Sequence, residues 1–439
     1  MKKVLALLFA VLMILSLAAC GGKTETTVVE AASEKKETAA APVAEAPKTG
    51  AEAIETVADD GIDYNHMTMA ELYELAKQET GTIEVYSTTA DASTAIKKMK
   101  KDYPDINIEY ISCDTDTIAA KVEMEADSGN VNADVVLVKD CSGEVYNELV
   151  MYDILDVYYP AFICENIDDD MLTYGLPLYS TFNPWFYNTT MFPDGVPIES
   201  WWDIVEGYNE DTCSFTDASG KNTQYWTIYT KDITSPSYAA LWAQIVMDGD
   251  ALAEQYKNQY GKDLVITYND KLQNMPGMME FPVDNAGVEL FWRFSQMLMT
   301  ELPDGDAVAA AVSDSLNGPT LGLCSASKID VSDDIAWVTG LSPYTALDAC
   351  SYLYVANGCD NPAGARFYIN YCLGGENGDQ GCYKTFDKKG HWSVRSDVVY
   401  EKSGVEASEV GLTAPNFAGI YESYPSVTAY WKLWSNLNK

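Results

Sequence analysis

The sequence has few residues suited to nucleophilic or metal-dependent catalysis. Only two of its 439 residues are histidines, His66 and His391, which leaves little material for a Ser–His nucleophile or a metal hydrolase. It also lacks a glycine-rich phosphate loop, because Gly220 and Lys221 are followed by Asn222 without the required upstream glycine. We therefore expect no enzyme, no cofactor and no metal. The many carboxylates still leave a secreted carbohydrate-acting enzyme open as an alternative.

Positive charge is also scarce. The 28 lysines and arginines face 66 aspartates and glutamates, which gives a formal net charge of −38. Such a surface repels nucleic acids and anionic lipid headgroups, so neither is an expected partner. The overall charge does not decide the charge of a small ligand, because a local pocket can have the opposite sign.

Long apolar segments are missing apart from one short run at residues 4–19, which follows two lysines. This run is too short for a comfortable membrane span and predicts an export signal. Its end, with Ala18 and Ala19 before Cys20, resembles the bacterial lipoprotein signal. The resemblance implies that residues 1–19 are removed and that Cys20 is acylated, which anchors the protein to membrane lipid outside the cytoplasm. The alternative is an ordinary secretory signal followed by an accidental cysteine.

No aromatic residue occurs in residues 21–63, which consist mostly of Ala, Glu, Thr, Lys, Val and Pro. Such a segment buries too little apolar surface to offset the entropy of ordering it. We therefore predict that residues 20–63 form a disordered tether. The rest of the chain is long enough for two or three domains.

Nine cysteines follow Cys20, and an odd number leaves at least one unpaired. Their spacing matches no zinc site, so we expect most of them to be small buried side chains. Cys372 and Cys382 are the pair for which a disulfide is considered first.

Helical and strand patterns alternate after residue 64. A capping box formed by Thr68 and Glu71 begins a helix. Further helices are predicted at residues 93–101 and from a cap at Thr115 or Asp116 to about residue 126. Strands are predicted at residues 83–86, 106–111 and 133–138, and their order indicates a parallel α/β sheet. Later elements are the helices 238–247, 307–312 and 424–437, the strands 320–325 and 351–356, and a helix that Asn361 caps, with Pro362 in its first turn and Gly374 at its end.

Six segments carry a resemblance that covers most of residues 80–439. They are residues 81–87 (GTIEVYS), 132–138 (NADVVLV), 174–188 (YGLPLYSTFNPWFYN), 200–203 (SWWD), 357–362 (NGCDNP) and 365–370 (ARFYIN). In order and spacing they resemble extracellular solute-binding proteins of ABC importers. The resemblance is to the two-lobed type that includes ferric-iron, thiamine, polyamine and phosphonate binders.

This resemblance implies a type 2 periplasmic-binding-protein-like α/β fold, with a mostly parallel sheet flanked by helices in each lobe. Lobe 1 would comprise residues 64–180 and 339–439, and lobe 2 residues 181–338. The chain would cross between them twice, at residues 177–187 and 338–344. The implied function is capture of a small polar solute in the interlobe cleft and delivery to the permease subunits of an ABC importer. We expect the protein to be a monomer.

Ligands of such sheets bind beyond the carboxyl ends of the strands, where helix N-termini point outward. The strand ends and hinge aromatics give the candidate ligand-binding residues Ser87, Thr88, Thr89, Asp114, Thr115, Asp140, Tyr179, Trp185, Ser235, Ser237, Tyr238 and Ser325. The alternative for the hydroxyls and carboxylates is helix capping. The alternative for the aromatic side chains is packing between the lobes.

Two further functions remain as alternatives. Ferric binders of this type generally use adjacent tyrosines near the end of the inserted lobe, and the matching residues 321–328 contain none. Tyr158 and Tyr159 are adjacent but precede Pro160, where packing residues are expected. Binding of ferric iron or an iron complex is therefore the less favoured alternative. A structural or adhesive lipoprotein is the other, although it would not need two crossings.

Overall fold

The computed structural model of the protein describes residues 61–114, 117–206, 215–216, 222–223, 226–268, 282–297, 299–316 and 318–438. The predicted signal, Cys20, most of the predicted tether, Thr115 and Cys213 lie outside these ranges. Within them, no helix combines the length and the apolar character that crossing a membrane requires.

Sixteen strands are described in these ranges. They are β1 (Ile83–Ser87), β2 (Ile108–Ser112), β3 (Val135–Val138), β4 (Leu155–Asp156), β5 (Leu176–Thr181), β6 (Trp185–Asn188), β7 (Phe215–Thr216), β8 (Asn222–Thr223), β9 (Thr227–Thr230), β10 (Met299–Glu301), β11 (Thr320–Leu323), β12 (Ile335–Trp337), β13 (Ala346–Leu347), β14 (Ser351–Ala356), β15 (His391–Ser393) and β16 (Leu412–Thr413).

The described α-helices are α1 (Met69–Ala76), α2 (Asp91–Asp102), α3 (Ile118–Ser128), α4 (Ala161–Cys164), α5 (Trp201–Val205), α6 (Pro236–Met247), α7 (Gly249–Tyr260), α8 (Ala286–Ser295), α9 (Gly305–Ser313), α10 (Pro362–Cys372), α11 (Gln380–Tyr383), α12 (Ala407–Val410) and α13 (Phe417–Asn438). Short 3₁₀ helices occupy Tyr64–His66, Asp169–Leu172 and Ala326–Val331, and a π-helix occupies Val145–Val150.

The first sheet has seven strands in the order β15-β5-β14-β3-β1-β2, with β4 paired to β14. Strand β1 is parallel to β2 and β3, as the alternation of helices and strands predicts. All four residues of β3 are buried, because helices cover both faces of this part of the sheet. Strand β14 returns late in the chain and pairs antiparallel to β3 and β5, which makes the sheet mixed.

The second sheet has five strands in the order β10-β9-β11-β6-β12. Strand β9 is parallel to β10 and β11, whereas β6 is antiparallel to β11 and β12. Aromatic packing joins its helices: Trp242 of α6 stacks on Phe291 of α8 at 4.8 Å between ring centroids. Each sheet with its helices forms one lobe, so the predicted two-lobed α/β fold is confirmed.

Along the described residues, the chain passes between the two sheets at the two predicted crossings, from β5 to β6 and from β12 to β14. The last helix, α13, then contacts both lobes. Its first residue, Phe417, packs against Tyr174 of lobe 1 at 4.4 Å between ring centroids. Further along, α13 packs on the helices of lobe 2, where Tyr430 contacts Phe291. The predicted boundaries group residues 339–439 with lobe 1, whereas most of α13 packs against lobe 2.

Local signals at helix ends are confirmed in part. Thr68 and Glu71 form the predicted capping box at α1. Asn361 makes no capping hydrogen bond to α10, because the first-turn N–H groups of Ala363 and Gly364 donate to the carboxylate of Glu79 instead. Helix α13 begins at Phe417, earlier than predicted, and continues through Pro425.

All eight described cysteines after Cys20 are free thiols, five of them buried and three half-buried. The thiols of Cys372 and Cys382 lie near each other but are not covalently bonded, so the disulfide considered for this pair is not formed in the structure.

Candidate functional site

A cleft of about 420 Å³ opens between the two lobes, at the carboxyl ends of strands from both sheets. Strands β1, β3 and β5 lead into it from lobe 1, and β9 and β11 lead into it from lobe 2. Its lining is polar: hydroxyls and an amide (Thr88, Thr89, Tyr179, Thr181, Asn183, Ser235, Ser237, Tyr238, Ser325, Ser327, Ser351), charged groups and histidine (Asp91, Lys139, Lys231, Lys328, Lys388, His391), and Cys141, Pro236 and Gly305.

The turn after β1 forms one wall. Ser87 is fully buried, and its hydroxyl accepts a hydrogen bond from the backbone N–H of Thr89 at 3.1 Å. The Thr89 hydroxyl in turn accepts from the N–H of Asp91 at 3.3 Å, the first residue of α2. Thr88 and Thr89 thus reach the cleft because Ser87 fixes the turn behind them.

Two stacked rings form the floor in lobe 1. Tyr179 of β5 and His391 of β15 lie with ring centroids 4.7 Å apart, and the side chains of Ser351 and Thr89 lie near the Tyr179 hydroxyl. Nδ1 of His391 is 3.0 Å from the carbonyl of Phe386. A carbonyl only accepts, so Nδ1 carries the hydrogen and Nε2 of the neutral ring is an acceptor.

Helix α6 forms the opposing wall in lobe 2. Ser235 directly precedes the helix, and its side chain makes no capping hydrogen bond to it. Asp248, which follows the helix, makes none to the next helix, α7. The first-turn residues Ser237 and Tyr238 line the cleft, with Pro236 in a position where its missing N–H costs nothing. Burial raises the pKa of the Tyr238 phenol, so this hydroxyl stays protonated and able to donate.

Two of the four cleft lysines are in ion pairs within their own lobe. Lys388 Nζ lies 2.7 Å from both carboxylate oxygens of Asp91 in lobe 1. Lys328 Nζ lies 2.6 Å from Asp306 in lobe 2. These two pairs are close to electrically neutral.

The other two lysines differ. Lys139 directly follows β3 and Lys231 directly follows β9, and both are half-buried. Neither forms an ion pair with any residue that the structure describes. Burial lowers the pKa of Lys139, while the nearby Cys141, Cys350 and Asp348 act in the opposite direction.

Helix termini add to this positive character. Helix α2 from lobe 1 and helices α6 and α9 from lobe 2 all begin at the cleft. The N-terminal end of a helix carries a partial positive charge. The cleft is therefore locally positive although the chain as a whole is strongly acidic.

Seven of the residues predicted from the sequence line this cleft together: Thr88, Thr89, Tyr179, Ser235, Ser237, Tyr238 and Ser325. They come from both lobes, as the strand-end argument requires. Thr115 lies outside the described residues.

Four other predicted residues do not line the cleft. Ser87 supports the turn, and the exposed Asp114 accepts backbone hydrogen bonds at the start of α3 through its carbonyl. Asp140 is buried behind the cleft, where its carboxylate accepts from the N–H of Tyr146 at 2.8 Å. Trp185 is fully buried between Trp201 and Phe294, because β6 faces the core of lobe 2 at this position. Neither Ser87 nor Asp114 makes a side-chain capping bond to the helix that follows it, and Trp185 packs within lobe 2 and not between the lobes.

Sequence reasoning missed the cationic part of the site. Lys139 and Lys231 each follow a strand, so the same strand-end rule could have selected them. Lys328, Lys388 and His391 give no such signal, because distant chain segments bring them to the cleft. Among the described residues, no cluster of three or more His, Cys, Asp or Glu side chains has the arrangement of a metal site.

A family model for bacterial extracellular solute-binding proteins matches residues 94–406, well over half of the chain. This family consists of solute-binding proteins and not of enzymes. No curated protein matches the chain.

Solved structures with the same fold include three proteins whose descriptions name iron. Apo ferric ion-binding protein A of Pasteurella haemolytica has a TM-score of 0.54 at 13% identity, covering 81% of this chain and 98% of its own. The ferric binding protein of Campylobacter jejuni has a TM-score of 0.55 at 10% identity, covering 81% and 99%. Iron-bound HitA of Pseudomonas aeruginosa has a TM-score of 0.54 at 11% identity, covering 80% and 99%. At these identities the likeness concerns the fold alone.

Proposed function

Because the chain belongs to the bacterial extracellular solute-binding proteins, we propose that it captures a small polar solute between its lobes and delivers it to the permease subunits of an ABC importer. The observation that carries this proposal is the cleft of about 420 Å³, which polar groups from both lobes line. A solute that contacts both lobes favours the closed state, whereas one that contacts a single lobe leaves the equilibrium unchanged.

The arrangement of the cleft supports closure by hydrogen bonding. Thr88 and Thr89 lie on lobe 1, and Ser235 and Ser237 lie on lobe 2. Each hydrogen bond to a solute contributes on the order of 1 kcal/mol, so several are needed for tight capture. The solute would thus bridge hydroxyl groups of the two lobes.

The proposal includes membrane attachment. Cys20 would carry the lipid, with residues 20–63 as the tether that holds the lobes away from the membrane. The lobes would comprise residues 64–180 with 339–439, and residues 181–338, with helix α13 of the first lobe packed across onto the second. A monomer tethered in this way stays close to its importer after release of the solute.

Ferric iron is a second candidate, because three proteins of similar fold carry iron binding in their names. Two unpaired lysines in the cleft repel a bare trivalent cation. The lysines would not repel an iron complex whose chelator makes it negatively charged. Iron capture would therefore depend on the chelator.

Reconstitution with the importer tests the proposed function. The mature chain is purified without denaturation, its bound small molecules are identified by mass spectrometry, and the permease is reconstituted in vesicles. The expected result is uptake of that solute only when the binding protein is present. Uptake that is equally fast without it, or turnover of the solute by the protein, would refute the proposal.

A further inference from the structure

The two unpaired lysines of the cleft come from opposite lobes. Lys139 leaves the end of β3 in lobe 1, and Lys231 leaves the end of β9 in lobe 2. No described carboxylate lies within ion-pair distance of either amine. Two like charges that face one cleft oppose its closure unless something of opposite sign lies between them.

The remaining charges do not supply that opposite sign. Asp91 is bound to Lys388 through both of its oxygens, and Asp306 is bound to Lys328. Asp348 lies near Lys139 but beyond ion-pair distance, and burial raises the pKa of its carboxyl, which Ser180, Cys350 and Lys139 only partly offset, so its negative charge is disfavoured. The cleft thus keeps an excess of two positive charges in a chain whose formal net charge is −38. A need for solubility, which the acidic surface already serves, does not account for this positive charge inside the cleft.

We propose that the solute is an organic anion with at least two negative charges, held between Lys139 of lobe 1 and Lys231 of lobe 2. This inference rests on the proposed function, because it names the class of solute that the same cleft captures. Phosphate monoesters and polycarboxylic acids share this chemistry. With the anion between them, the two lysine amines would no longer repel each other across the cleft, because each would be attracted to the anion.

The size and the other walls of the cleft favour an organic body. A volume of about 420 Å³ lies within the range of about 300–1,000 Å³ that is typical of organic ligands. The ring pair of Tyr179 and His391 offers a flat surface, and Nε2 of neutral His391 accepts a hydrogen bond from a hydroxyl. Hydroxyls of Ser237, Ser325 and Ser327 line the opposite side.

His391 is compatible with this assignment because its surroundings keep it neutral. Burial lowers its pKa to about 4, and Lys139 and Lys388 act in the same direction, while Asp91 and the carbonyl of Phe386 oppose them. The ring is therefore a hydrogen-bond acceptor at neutral pH. The lysines supply the positive charge and His391 supplies an acceptor for the uncharged part of the solute.

Thermal shift and calorimetry on the mature chain test the proposal with a panel sorted by charge. The dianions and trianions are glucose 6-phosphate, glycerol 3-phosphate, malate and citrate, with inorganic phosphate as the anion without an organic body. Glucose is the neutral probe and putrescine the cationic probe. We expect at least one organic anion to raise the melting temperature, and its Kd to increase with salt concentration.

Two variants remove the lysines singly, Lys139→Met and Lys231→Gln. Each is expected to weaken binding of that anion by about tenfold to a hundredfold, as loss of a desolvated charge partner does. The controls are Lys77→Gln, directly after α1, and Lys257→Gln of α7, because these lysines are paired with Glu74 and Asp263 away from the cleft. Both controls should bind as the parent does. Circular dichroism of all four variants reports whether they are folded.

The results separate this inference from the proposed function. Binding of only glucose or putrescine would overturn the anion assignment and leave solute capture intact. Binding of an anion equally tightly by the lysine variants and the parent would also overturn the assignment to the two lysines and leave solute capture intact. Stabilisation by no member of the panel also overturns the assignment, and the reconstituted uptake experiment then decides on capture independently.

Discussion

The imidazole ring of His391 lies almost flat against the phenol ring of Tyr179, with ring centroids 4.7 Å apart and planes inclined by 7°. These residues are far apart in sequence, on strands β15 and β5, which pair with each other at the edge of the first sheet. The stack fixes the histidine at the floor of the cleft. It also has a consequence for stability, since a buried histidine resists protonation.

Acid should destabilise the protein partly through His391. Its pKa is lowered from the ordinary value of 6.5 to about 4, so its contribution to folding is complete above pH 6.5 and is lost between pH 6.5 and 4. The contribution is up to about 3 kcal/mol in the free energy of unfolding. In urea unfolding across this pH range, His391→Gln should lose less stability than the parent does. Identical pH slopes for the two proteins would contradict this assignment.

Asp140 should have the opposite pH dependence. Burial raises its pKa from 3.8 to about 7, and hydrogen bonds from Tyr146, Val145 and Gly143 offset only part of this effect. Its contribution favours folding below pH 3.8 and declines as the pH rises to about 7. We expect Asp140→Asn to remove a pH-dependent decline of a few kcal/mol in the free energy of unfolding. The asparagine keeps an acceptor for the Tyr146 N–H. A variant that declines as steeply as the parent between pH 4 and 7 would show that this carboxyl is ionised normally.

Two glycines at helix contacts should differ in how well they tolerate alanine, because one faces backbone atoms and the other faces a flexible side chain. A Cβ added at Gly287 of α8 would collide with the carbonyl of Ile245 in α6, whereas one at Gly419 of α13 would meet the mobile end of Met247. Gly287→Ala should therefore reduce the free energy of unfolding by about 2 kcal/mol or more, because the two helices must separate. Gly419→Ala should cost clearly less, since Met247 changes rotamer. Chemical unfolding of both variants measures the difference, and equal losses would count against close packing of α6 on α8.

Membrane attachment should depend on Cys20. We expect Cys20→Ser to release the protein into the medium or to leave the precursor uncut, because serine cannot be acylated through a thiol. Fractionation with detection of the mature size measures both outcomes. Serine substitution at Cys113, which is half-buried and distant from the signal, is the control. Processing and membrane association of Cys20→Ser like those of the parent would exclude the lipid anchor.

Much of the first sheet could be predicted because its signals are local. The apolar run of β3 and the capping box of Thr68 need no distant partner, and both are confirmed. The start of α13 could not be predicted, because Pro425 mimics a helix boundary and only packing against lobe 2 keeps the helix continuous.

In the site too, local sequence signals find some residues, whereas tertiary structure alone places others. Hydroxyls such as Thr89 and Ser237 follow strands or begin helices, so strand-end reasoning finds them. Trp185 looked like a ligand contact because it lies at the crossing, but the face of β6 on which it lies is decided by the tertiary core. His391 reaches the cleft only through the pairing of β15 with β5, which no local pattern encodes.

Small-angle X-ray scattering tests most directly whether the cleft closes on a solute. The parent and Ser237→Trp are compared, with and without the molecule that copurifies with the parent. Ser237 lies at the start of α6 in the cleft, so an indole there should fill the space and block closure. The account predicts that the solute lowers the radius of gyration of the parent and leaves that of Ser237→Trp unchanged. A parent that binds the molecule without any compaction, or a variant that binds and compacts equally, would contradict it.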